Sequence, residues 1–311
     1  MWCQRMYSSF AEAYRSLLQD LMYYGEEVPA IRGRKTKELL NYSFCIRNPS
    51  LNLAYSKNRK FSIMHAINES LGLFNNDDSV EFASLFNNNM ANFSDDGRKM
   101  YGCYGKRLYG YIYDVIRKLS SDSNSRSAVI NIYISKDGNA RTKDIPCTET
   151  LQFLVRDGKL NMIVNMRSND CIWGTPYDVF MFTNMQMVIA NELGLKVGKY
   201  YHNAGSMHLY EDMYSTAFDM IKNGIDYYGH YNTNNYFEWC ALSSAVSKFA
   251  SSKTEENIEL IREVTEKMDD RIYGDMVLKE IEFKYGMETG VLDEDVKDSV
   301  FAYPFSKRWN L

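Results

Sequence analysis

Residues 146–178 read PCTETLQFLVRDGKLNMIVNMRSNDCIWGTPYD. Two runs rich in β-branched, aromatic and long apolar residues, 150–156 and 159–166, flank Asp157-Gly158, a dipeptide that favours the tight turn of a hairpin. The same stretch holds Pro146-Cys147, Gln152, the tetrad Arg167-Ser168-Asn169-Asp170, Gly174 and Asp178, and His208-Leu209-Tyr210 follows farther on. Core strands seldom carry so many polar groups. Each one buried without a partner costs about 1–3 kcal/mol, so a cluster of them implies a shared ligand or a fully paired network.

Around this centre the periodicity changes several times. Residues 128–134 read as a further strand, 177–193 as helix, 197–204 as strand and 209–223 as helix, a mixed α+β order rather than regular βαβ alternation. Nearer the start, Phe10, Tyr14, Leu17, Leu18 and Leu21 recur at helical spacing across 9–24, with Gly25 as a stop. Residues 29–35 read as a turn-rich loop presenting cations, 61–74 as a mostly buried helix, and 75–78 and 87–97 as solvated segments. An amphipathic pattern over 104–119 ends at the Ser-rich run 120–125. Beyond Tyr231 the pattern is helical only: Ser252-Lys253-Thr254-Glu255 reads as a capping box, followed by Ile258, Ile261, Val264 and Met268 on one face. The spacing divides the chain into a sheet-containing body, 1–231, and a helical extension, 232–311.

At 311 residues with 45% apolar composition, the chain can bury a sizeable core in one large or two ordinary domains. The charge balance, 36 Lys+Arg against 40 Asp+Glu for a net of −4, offers no general attraction to nucleic acid. No apolar run approaches the roughly 18 residues of a membrane span, and MWCQRMYSSF lacks the layout of a secretion signal, so the expectation is a soluble cytoplasmic protein with no membrane partner. Six scattered cysteines without a C-x-x-C pair argue against a disulfide scaffold or a metal site.

Residues 146–178, with GSMHLY at 205–210, closely resemble the thymidylate synthase superfamily, which includes deoxycytidylate and cytidylate hydroxymethylases. Cys147 precedes Gln152, Arg167 and His208 at the family's intervals, and Glu69, Tyr104-Gly105-Lys106 and Ser125-Arg126 fit earlier landmarks. The resemblance covers roughly residues 25–225. It implies a thymidylate synthase-like α+β fold, a large mixed β-sheet flanked by helices, in a homodimer packed sheet to sheet with shared active sites. It also implies 5,10-methylenetetrahydrofolate as cofactor and a pyrimidine nucleoside monophosphate as substrate.

By that resemblance Cys147 is the thiolate that adds to C6 of the base, and C5 then takes the one-carbon unit. A thiol of ordinary pKa near 8.5 needs a neighbouring cation to ionise, and Arg167 on the adjacent strand can supply it. Arg32 and Arg167 of one subunit and Arg126 of the other would hold the phosphate, with Ser168 adding a hydroxyl; Ser127 stands where the family usually has a second arginine, and Arg34 or Lys35 can compensate. Glu69 would organise water and move protons, Tyr104 would assist proton removal from C5, Gln152 would contact substrate, and His208 and Tyr210 would bind the sugar. Asp170 would contact the pterin, with Trp173 stacking on it beside Gly174. Ordinary core or surface roles suit His65, His202 and His230.

Asp178 bears on the choice of base. Thymidylate synthases carry asparagine there, whereas a carboxyl that shares a proton with N3 matches the amino-bearing edge of cytosine. An ionised carboxylate would oppose O4 of uracil. Asp178 therefore points to dCMP or CMP over dUMP, and with Thr148 and the wording VNMRSND it resembles the hydroxymethylase branch; a cap on the helix at 177–189 is the structural alternative. The other enzyme reading is a thymidylate synthase or another pyrimidine C5-methylating enzyme. A nucleotide-binding regulatory homologue is the non-enzyme reading.

Overall fold

A computed structural model describes residues 5–31, 34–291 and 296. The chain begins with β1 (Met6–Tyr7), α1 (Phe10–Tyr24), β2 (Glu26–Ile31), β3 (Arg34–Ile46) and β4 (Leu53–Tyr55). Helices α2 (Ile63–Gly72), α3 (Val80–Ala83), α4 (Tyr104–Leu108) and α5 (Tyr111–Ser121) follow. Then come β5 (Val129–Asn131), β6 (Thr148–Arg156), β7 (Lys159–Asp170), α6 (Thr175–Glu192), β8 (Lys196–Tyr210), α7 (Tyr214–Asn223) and β9 (Asp226–Tyr228). The last described helices are α8 (Tyr236–Ser251), α9 (Glu255–Glu266) and α10 (Ile272–Tyr285). None of the described helices is long and apolar enough to cross a membrane.

The main sheet runs β1-β3-β8-β7-β6-β5, with β2 hydrogen-bonded to β3 and a small β4-β9 pair apart from it. The hairpin turns as its sequence demands, with positive φ at Asp157 (52°) and Gly158 (67°). Strands β7 and β8 pair parallel, which requires a crossover, and α6 supplies it. That helix is buried nearly all round, with the sheet on one side and α2 and α8 on the other.

Several elements differ from the sequence reading. The expected loop at 29–35 lies largely within the β2–β3 hairpin, and β3 is a 13-residue strand. Its alternation is hidden by Leu39-Leu40-Asn41 and by positive φ at Asn41. Helix 104–119 is two helices, because Gly110 takes φ 83° between α4 and α5. Strand β8 continues to Tyr210, so the helix expected from 209 starts at Tyr214. In the extension Thr254, not Ser252, caps α9 by accepting from Asn257 N.

Helices α8 to α10 share the body's core. Trp239 packs against Phe74 and Tyr273, and the Tyr273 hydroxyl donates to Asn184 Oδ1 on α6 at 2.9 Å. They therefore support α2 and α6 from behind.

Arg107 of α4 grips Asp137 with two hydrogen bonds (2.7 and 3.0 Å), while Tyr101 OH and Ile134 N donate to the same carboxylate. Arg107 above all holds Asp137 down at about 2. A depressed carboxylate stabilises the fold above its unfolded pKa, and that contribution fades as pH falls below 4 through about 2. Asp137→Ala is expected to cost about 2–3 kcal/mol at pH 7, because it leaves the partly buried guanidinium without its countercharge, with only the Ile132 and Tyr101 carbonyls to accept from it. Urea unfolding of variant and wild type checks this; equal midpoints would count against it.

Candidate active site

A cleft of about 230 Å³ is lined by His65 and Glu69 of α2, Tyr104 and Gly105 of α4, Pro146 and Cys147 ahead of β6, and Asp178 of α6. A Cβ on Gly105 would lie 1.8 Å from the carbonyl oxygen of Gly72. Only glycine lets α4 seat against the end of α2, and this seating sets the neighbouring Tyr104 in the same cleft as Glu69. A larger, open cleft of about 810 Å³, bordered by Lys99, Arg107 and Lys136, adjoins at Met100 and Cys103 but contains none of the polar side chains that face Cys147.

Cys147 is half-buried, and the Nη2 of Arg167 lies 3.7 Å from its sulfur. Burial nevertheless outweighs the guanidinium and pushes the thiol up, with Asp178, Asp144 and Asp170 adding to the rise. Arg167 alone therefore does not generate the expected thiolate. Its Nε and Nη2 donate to the carbonyls of Pro146 (2.9 Å) and Ile145 (3.0 Å), which latches the segment bearing Cys147 to β7.

Two carboxyls share the cleft. Burial pushes Glu69 up to about 8, and His65, one helical turn earlier, sets Nε2 3.7 Å from it. Asp178 is raised to about 8 as well, by burial first and then by Glu69. The helix begins at Thr175 after Gly174, so Asp178 sits in its first turn and is not the cap. Its Oδ2 accepts from Asn169 Nδ2 at 2.7 Å. Tyr104 OH accepts from Thr148 N (3.2 Å) and Thr148 Oγ1 (3.0 Å), and burial raises it well above the usual phenol value.

The other expected residues lie around this cleft rather than in it. Asp170 Oδ1 accepts from Ile172 N (2.7 Å) and Trp173 N (2.9 Å), closing the turn into α6 and leaving Trp173 46% exposed. Gly174 passes so near Asn169 that a Cβ there would stand 2.9 Å from its Nδ2. Asp170 pairs in register with His208 across β7 and β8. The His208 and Tyr210 rings meet edge to face at 5.2 Å, and Arg34 stacks on Tyr210 and pairs with Asp212. Ser168 sits opposite Ser206. Gln152 Nε2 donates to the Arg126 carbonyl (2.9 Å), so within one chain these two form a separate cluster at the β5–β6 edge. Arg32 falls outside the described residues.

Four residues had no individual site role in the sequence reading. His65 lines the cleft, and its i, i+4 spacing to Glu69 was the available signal. Asn169 and His202 are buried beneath Asp178; Asn169 was marked only as part of the polar tetrad 167–170, and His202 by nothing local. Arg59 is 5% exposed and donates Nε to Ile172 O at 2.8 Å; its Nη1 and Nη2 have no hydrogen-bond partner among the described residues.

A family model described as thymidylate synthase matches residues 12–235. The chain belongs to the thymidylate synthase family. Members of that superfamily are one-carbon transferases. The chain is 34% identical over 221 residues to a deoxyuridylate hydroxymethyltransferase of Bacillus phage SP01, a match spanning 65% of this chain and 57% of the relative. A putative thymidylate synthase of Methanocaldococcus jannaschii is 30% identical over 69% of this chain and 92% of its own length. Among solved structures, thermostable thymidylate synthase A from Bacillus subtilis superposes with a TM-score of 0.62 at 20% identity, over 70% of this chain and 86% of that one. This last likeness bears on the fold alone: the family's large mixed sheet flanked by helices is the fold expected from the sequence.

Proposed function

We propose that this chain transfers a one-carbon unit to C5 of a cytidine nucleotide, dCMP or CMP, and leaves a hydroxymethyl group. The observation that carries the reading is the half-buried Asp178 carboxyl in the cleft that holds Cys147 and Glu69. With its pKa near 8 the acid is largely neutral at pH 7. One oxygen can then donate to cytosine N3 while the other accepts from the N4 amino group.

The residues fit 5,10-methylenetetrahydrofolate as cofactor. Trp173 exposes a ring for stacking, one Asp170 oxygen is outside the turn that the other closes, and Arg59 offers buried N–H groups. When bound, the folate supplies the one-carbon unit. The chain's own part begins with Cys147 adding its sulfur to C6 as its proton leaves. Because burial raises the thiol, its proton passes to water only as the sulfur adds, with Arg167 beside the sulfur to favour the anion. Glu69, with a pKa near 8, can hold or release a proton at neutral pH. Tyr104, whose oxygen accepts from Thr148, lies where it can guide the proton lost from C5 to water. Sulfur leaves C6 after water has added to the new carbon.

In the proposed homodimer Arg126 reaches the partner's phosphate site, Arg167, Ser168 and Arg32 serve from the same chain, and His208 and Tyr210 meet the sugar. Residues 1–231 would carry the chemistry, and helices α8 and α10 brace α2 and α6.

A second reading, dUMP as substrate, is favoured by the name of the phage relative and by the neutral Asp178, since an undissociated acid can also donate to O4 and accept from N3–H. Tritium release from C5-labelled dCMP, CMP and dUMP with methylenetetrahydrofolate separates the two, and product mass separates hydroxymethyl from methyl. Release from dUMP alone would overturn the cytidine assignment.

A further inference from the structure

Beneath Asp178 runs a buried polar chain whose direction is fixed. Tyr200 and His202 of β8 are fully buried, and Asn169 of β7 is 3% exposed. The Tyr200 hydroxyl and His202 Nδ1 are 3.0 Å apart, and His202 Nε2 lies 2.9 Å from Asn169 Oδ1. Thr175 Oγ1 donates to the same Oδ1 at 2.7 Å, and Asn169 Nδ2 donates to Asp178 Oδ2 at 2.7 Å. Burial pushes His202 down to about 3, so the ring is neutral and carries one N–H.

Tyr200 keeps its proton, because burial drives its pKa well up, and a buried hydroxyl proton without an acceptor is costly. The hydroxyl donates to Nδ1, which leaves the imidazole proton on Nε2, pointing at Asn169 Oδ1. With two donors aimed at Oδ1, the amide cannot turn over, and its NH₂ faces Asp178. The reverse arrangement would present an amide oxygen to Asp178 Oδ2 and demand the carboxyl proton there.

We propose that His202, acting through Asn169, is a specificity-determining positioning residue: it holds Asp178 Oδ2 as an acceptor, so that Oδ1 is the oxygen that donates to the N3–C4 edge of the bound pyrimidine. The inference rests on the nucleotide reading given above. It holds for either base, because cytosine and uracil differ in which atom of that edge accepts, and a carboxyl whose two oxygens exchange roles cannot tell them apart.

The test is the ratio of kcat/KM for C5 tritium release from dCMP and dUMP, alongside equilibrium binding of each nucleotide without folate. His202→Phe keeps a flat ring against Phe44, on which His202 stacks at 4.9 Å, and removes both nitrogens. Whichever base the wild type prefers, the preference should fall about tenfold toward unity, the weight of one net hydrogen bond. His202→Gln, which restores an N–H, should recover part of it. In the Asp178→Ala background, which removes the side chain that His202 positions, His202→Phe should leave the ratio unchanged, a coupling that a general loss of stability would not produce. If His202→Phe fails to fold, Tyr200→Phe, which deletes only the hydroxyl, gives the same reading. A folded variant whose ratio stays within twofold of wild type overturns the positioning role and leaves the nucleotide reading standing. Binding of neither nucleotide by the wild type overturns both.

Discussion

Cys147→Ala is expected to lower C5 tritium release by at least about 10⁴-fold while leaving the thermal midpoint nearly unchanged. Addition to C6 is the step that turns C5 into a nucleophile, and the other groups of the cleft act only on its product. The cleft contains a second thiol, Cys103, whose Sγ donates to Asp77 O at 3.2 Å. Comparing the two alanine variants identifies the nucleophile: loss of release with Cys103→Ala and retention with Cys147→Ala would sink the assignment. The raised thiol adds a pH signature. Without nucleotide, alkylation of Cys147 by iodoacetamide should be slow at neutral pH and accelerate through the alkaline range, above an ordinary thiol.

Asp178→Asn should reverse the base preference, lowering kcat/KM for dCMP by about 10²–10³ and sparing or raising that for dUMP. The amide has a fixed donor and a fixed acceptor, whereas the acid can share its proton with N3. Retention of dCMP preference in a folded Asp178→Asn protein would show that the base is read elsewhere. The same substitution should alter stability in a pH-dependent way. Asp178 ionises above about 3.8 in the unfolded chain but only near 8 when folded. Folding between those values takes up a proton, so the acid destabilises the fold increasingly as pH rises from 4 to 8 and by a constant amount above. Asparagine removes that penalty. The variant should gain on the order of 4 kcal/mol over wild type between pH 5 and pH 8, and differential thermal unfolding at the two pH values checks it.

The legible parts of the site share a cause. Cys147, Glu69 and Asp178 are chemical side chains set in apolar periodic sequence, where their cost is visible without coordinates, and they converge on one cleft. His65 carried a faint signal in its helical spacing to Glu69. Asn169 stood out only within the polar tetrad 167–170 and His202 not at all, because their pairing joins two strands and involves ordinary polar residue types. Gln152 shows the reverse: its spacing from Cys147 suggested the cleft, but its strand turns it to the Arg126 loop. The same holds for the fold. Asp157-Gly158 and the capped helix α1 are local and were readable, whereas the long β3 was masked by the positive φ at Asn41 and is held by pairing with β8.

By itself the sequence determined the hairpin, the amphipathic helices and the set of residue types able to attack a ring carbon and read its edge, because backbone torsions and side-chain chemistry are local properties. The tertiary structure alone decided how those groups behave. Enclosure raises the Cys147 thiol against the pull of Arg167, brings Asp178 and Glu69 near 8, and orders the Tyr200–His202–Asn169 chain beneath the acid. Protonation and hydrogen-bond direction depend on what surrounds a group in three dimensions, and burial there comes from strands and helices far apart in the chain.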